Sequence, residues 1–60
     1  MNEYKMYMKG MYQARLDELQ HGAEFVQAVK NAFFATRAQD HNVNAYMLGY
    51  IIEATEDDEE

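Results

Sequence analysis

Residues 43–55 carry apolar side chains on two opposite sides of a helix, and this constrains the fold more than any other feature of the chain. Val43, Tyr46, Met47, Tyr50, Ile51 and Ala54 form one stripe at spacings of three and four. Ala45, Leu48 and Ile52 form a second stripe on roughly the opposite side. A helix that is apolar on both sides needs neighbours on both sides. A chain of 60 residues has few to offer, and one of this size buries only about 60% of its unfolded surface. The second stripe therefore predicts cover from another polypeptide.

Two further segments show helical spacing. In residues 2–21, Tyr4, Met8, Met11, Tyr12, Leu16 and Leu19, with Met1 just before, share one face and predict the core side of a first helix. Asn2 is its expected N-cap and Gly22 its expected C-terminal stop. Gly10 lies inside this helix at a cost of roughly 1 kcal/mol relative to alanine. That cost implies either close packing at Gly10 or a frayed first turn. In residues 23–38, Phe25, Val26, Val29, Ala32, Phe33 and Thr36 form the stripe of a second helix. Polar residues 39–42 then make a turn in which Asp40 or Asn42 caps the third helix. The expected architecture is all-α: a small three-helix bundle with helices at about 2–21, 23–38 and 43–55. Residues 1–55 form its single domain and residues 56–60 an acidic, disordered tail. Fusing the first two helices across Gly22 is the alternative. Proline and cysteine are absent, which removes the commonest helix breaker, disulfides and thiolate metal sites.

Charge is distributed unevenly. Residues 1–52 are electrically balanced, and the net charge of −6 comes from Glu53 and the five acidic residues 56–60. No cation follows Arg37. A helix-turn-helix reading of the second and third helices fails on this point, because a recognition helix must neutralise phosphates. Direct nucleic-acid binding and docking on anionic membranes are both disfavoured. No stretch approaches the roughly 18–20 apolar residues of a membrane span. With no signal-peptide pattern at the N-terminus, a cytoplasmic protein is the default expectation. Glu56, Asp57 and Asp58 could occupy a basic groove on a partner, such as one that binds nucleic acid. The plainer reading is that they keep the protein soluble.

Chemical motifs are weak. Asp17 and His21 are four apart on one helical face with Glu18 nearby, but no further ligands stand at metal-site spacing. A histidine at a helix C-terminus explains them better. The Asp40-His41-Asn42 run reads as a capped polar turn, lacking the positioned nucleophile and closed pocket that acid–base catalysis needs. No enzymatic activity, cofactor or metal is expected. The residues that fit an isolated bundle least are Phe34, Leu48 and Ile52. All three lie off the core stripes, where exposed apolar side chains mark interfaces. Met6 projects from the first helix away from its stripe. Arg15 sits within that stripe, where it must snorkel to the edge or pair with a carboxylate on another helix or chain. These residues, with the acidic tail, are the candidate partner-binding set. The function expected is occlusion of a partner protein by a small acidic helical module. Inhibitors and adaptors of this type include those made by bacteriophages. The alternative is a structural homo-oligomer using the same surfaces.

Overall fold

The computed structural model describes residues 2–36 and 39–58, with side chains described as far as Thr55. The described residues form three helices: α1 (Glu3–His21), α2 (Ala23–Ala35) and α3 (His41–Asp58). Asn2 caps α1, its side-chain oxygen accepting from the Tyr4 amide at 2.8 Å. Gly22 separates α1 from α2 with φ of 96°, a left-handed conformation that glycine adopts without strain. The break at Gly22 rules out the fused-helix alternative.

Both later helices end elsewhere than the spacing predicts. α2 stops at Ala35, because Thr36 turns extended and its hydroxyl donates to the Ala32 carbonyl at 2.8 Å. The expected end at Ala38 lies outside the described residues. α3 begins two residues early, since Asp40 caps it by accepting from the Asn42 amide at 2.8 Å. It then continues through Glu56 and Asp57 to Asp58. Glu59 and Glu60, the end of the expected tail, lie outside the described residues.

Cross-helix contacts give an up–down–up bundle. Tyr7 and Met11 of α1 adjoin Gly49 of α3, and Gly10 adjoins Tyr46 and Tyr50. Arg15 reaches Glu53. Residue numbers rise together along the two helices, so α1 and α3 run parallel. α2 runs back along one side of the pair: Gln27 donates to the Ala54 carbonyl at 3.3 Å, and the Phe33 ring meets Tyr50 edge-on at 5.2 Å. The core is Ala14, Val26, Tyr50 and Ala54, with Val29 and Phe33 packed against it.

The α1–α3 contact is made backbone to backbone. A methyl group on Gly10 would overlap the Tyr46 carbonyl, and one on Gly49 would overlap the Tyr7 carbonyl. Each helix thus presents a glycine to the other's main chain, with Ala14 buried one turn beyond Gly10. This contact overturns the expected orientation of α1. Gly10 and Ala14 face inward, while Tyr4, Met8, Tyr12 and Leu19 of the predicted core stripe are exposed. Phe25, expected in the α2 core, is 41% exposed, with its ring against His21 at 4.5 Å.

Candidate interaction surface

The rotation of α1 builds a surface. Along α1, Gly10 and Ala14 mark the centre of contact with α3. Asp17 flanks them on one side, toward Tyr50 and α2. Met11 and Arg15 flank them on the other, toward Gly49 and Glu53. Tyr4, Met8, Arg15 and Leu19 project within about 60° of one another on that second flank, at about 100° per residue. Tyr12 follows at its margin. On α3, Ala45 and Ile52 lie past Gly49 on the same side, with Leu48 at the edge. α2 covers the opposite side of the α1–α3 pair, through Tyr50 and Ala54. One side of the pair is thus left as an apolar face. Leu19 is 83% exposed and Leu48 52%.

The expected site residues separate on this map. Leu48 is exposed and Ile52 half-buried, both on the α1–α3 face. Phe34 is 66% exposed but belongs to α2, so it does not join that patch. Met6 is half-buried, on the side of α1 away from the face. Glu56, Asp57 and Asp58 continue the α3 backbone, and their side chains lie outside the described residues. Tyr4, Met8, Tyr12 and Leu19 are the part of the face that sequence reasoning assigned to the core. Gly10 was the signal that could have found them.

Arg15 links α1 to α3 through the buried Glu53. Its Nε donates to Glu53 Oε2 at 2.9 Å. The arginine side chain is 65% exposed and the glutamate side chain 7%. Its head anchors a carboxylate that would be costly to bury alone. The other oxygen, Glu53 Oε1, is buried without a hydrogen-bond partner, as is Asn42 Oδ1.

A second polar link lies on the far flank. Tyr50 donates its hydroxyl to Asp17 Oδ2 at 2.6 Å, and Gln13 donates to Asp17 Oδ1 at 2.8 Å. Burial, and then the hydrogen bond to the Asp17 carboxylate, hold the Tyr50 hydroxyl far above the ordinary tyrosine range. Burial, with Asp17 nearby, also raises Tyr46. Asp17 is thus engaged with Tyr50 and Gln13, while His21 lies against Phe25.

No match is found among protein-family models, curated proteins or solved structures. Among the described residues, no three His, Cys, Asp or Glu side chains group as a metal site. No helix among them is long and apolar enough to cross a membrane.

Proposed function

We propose that this chain is a non-catalytic protein-binding module whose docking surface is the α1–α3 face opposite α2. A single observation carries this reading. Tyr4, Met8 and Leu19 are exposed on the flank of α1 that α2 leaves open, with exposed Tyr12 at its margin and exposed Leu48 at the edge on α3, and the two helices are held in backbone contact. Surfaces that collect large apolar and tyrosine side chains around an arginine have the composition of interface centres. The glycine contact makes the face rigid, so little ordering is required when a partner docks.

Binding at such a face acts by occlusion. The acidic end of α3, Glu56 to Asp58, adds attraction toward a partner that is basic at that end. The absence of cysteine suits work in a reducing compartment such as the cytoplasm.

Photo-cross-linking in the cells that make the protein tests this reading. A photoreactive residue at Leu19 or Leu48 is expected to give discrete adducts with protein, whether a different polypeptide or another copy of the chain. The same probe at Glu24 or Asn31, on the exposed side of α2, is expected to give none of them. Identical labelling from both sets of positions contradicts the proposal.

A further inference from the structure

We infer that Gly22 is a conformational switch. It holds the corner between α1 and α2 closed, and when that corner straightens, α1 and α2 become one helix that exchanges α1 between two copies of the chain.

The corner is a single residue. α1 ends at His21 and α2 begins at Ala23, with Gly22 between them at φ 96° and ψ 166°. That pair of angles lies in a region essentially restricted to glycine. Packing does not require glycine here, because a methyl group on Gly22 would meet nothing within 4 Å. Gly10 and Gly49 serve the close contact between helices; Gly22 serves only the backbone.

Both flanks of Gly22 are compatible with an unbroken helix. The Gly22 amide donates to the Glu18 carbonyl at 2.9 Å, which is the next step of the α1 ladder. The Val26 amide donates to the Gly22 carbonyl at 3.4 Å, again four residues back. A continuous helix would add the steps between, from the amides of Ala23, Glu24 and Phe25 to the carbonyls of Leu19, Gln20 and His21. No side chain caps the start of α2 in their place. Residues 18–25 contain neither proline nor a β-branched residue, so the local sequence favours helix on both sides. The His21 and Phe25 rings, 4.5 Å apart, would remain neighbours, since side chains four apart adjoin on a helix.

Exchange between copies follows from the contacts that straightening separates. A helix over 3–35 carries α1 away from its own α3, parting Gly10 from Tyr46 and Gly49 from Tyr7. Two chains opened in this way each supply α1 to the other's α3, and the contacts of the closed bundle re-form across the pair. Glycine keeps the native chain closed, because it permits the corner and weakens the straight helix.

Distance measurements by double electron–electron resonance test this. Tyr4 and Phe34 are exposed, and the chain lacks cysteine, so a Tyr4→Cys/Phe34→Cys chain takes two spin labels. In the closed form Phe33 meets Tyr50, whose amide adjoins Gly10, so both labels stand within the 31 Å length of the molecule. On a straight helix the same positions are about 45 Å apart, at about 1.5 Å per residue. Labelled chains diluted into unlabelled ones should give the short distance when residue 22 is glycine. In Gly22→Ala the long distance should dominate, with helicity kept or raised and the 7.0 kDa mass doubled. Its dimerisation constant should rise by about a thousandfold or more, since two corners straighten per pair. A synthetic chain with D-alanine in place of Gly22 should keep the short distance, because a D residue accepts the positive φ. A Gly22→Ala chain that stays monomeric with the short distance, whether or not it loses stability, overturns the inference. So does a Gly22→Ala chain that loses its helicity, and so does the long distance in the D-alanine chain.

Discussion

At the residue scale, two polar links join α1 to α3, and they differ in how exposed their members are. Arg15 is mostly in solvent and Glu53 is buried. Arg15→Ala should therefore cost about 1–2 kcal/mol, more than a surface ion pair contributes, because it strands a buried carboxylate. Replacing that carboxylate by an amide (Glu53→Gln) in the Arg15→Ala background should recover part of the loss, as urea denaturation of the four proteins of the cycle would show. Tyr50 is buried and donates to Asp17. Its hydroxyl ionises at higher pH in the folded chain than in the unfolded chain. That stabilisation is fully present below the ordinary tyrosine value near 10. It falls as pH rises above that value toward the folded one. Stability should thus decline from about pH 10 upward, and Tyr50→Phe should flatten the decline. Denaturant midpoints at mildly and strongly alkaline pH would measure both effects.

At the element scale, the glycines reverse the usual sign of helix propensity. Gly10→Ala should increase the helicity of an isolated α1 peptide, since alanine is favoured by roughly 1 kcal/mol. In the whole protein the same change should be destabilising by about 1–3 kcal/mol, because the new methyl meets the Tyr46 carbonyl and forces the helices apart. Circular dichroism of the peptide and thermal unfolding of the protein should move in opposite directions. This also explains what the sequence revealed. The three helices, the cap at Asn2 and the stop at Gly22 were legible, because each rests on local chemistry, whereas the choice between Asp40 and Asn42 as the cap of α3 was left open. The outward placement of Leu48 was legible too, since it followed from too many apolar residues on α3. The orientation of α1 was not. Hydrophobic periodicity favours large side chains, and Tyr4, Met8, Tyr12 and Leu19 outvoted Gly10 and Ala14. A close approach of main chains uses residues with almost no side chain, so periodicity gives them no weight. Arg15, awkward inside a core stripe, is unremarkable on an exposed face beside Glu53.

At the scale of the whole molecule, the bundle is one helix short of enclosing α1 and α3. α2 covers one side of that pair, and Tyr4, Met8 and Leu19 of α1 stay exposed on the opposite side. A partner that closes that side binds only the folded chain, so folding and binding are linked. The unfolding midpoint should then rise with the concentration of that partner. In Leu19→Asp it should not, although this exposed position contributes little to the fold of a single chain. Scanning calorimetry over a hundredfold concentration range would show the difference.

The most direct test is photo-cross-linking in the cells that make the protein, from Leu19 and Leu48 on the α1–α3 face and from Glu24 and Asn31 on α2. Discrete protein adducts from the first pair, and none of them from the second, are the result the account predicts. The same adducts from both pairs, or none from Leu19 and Leu48, would contradict it.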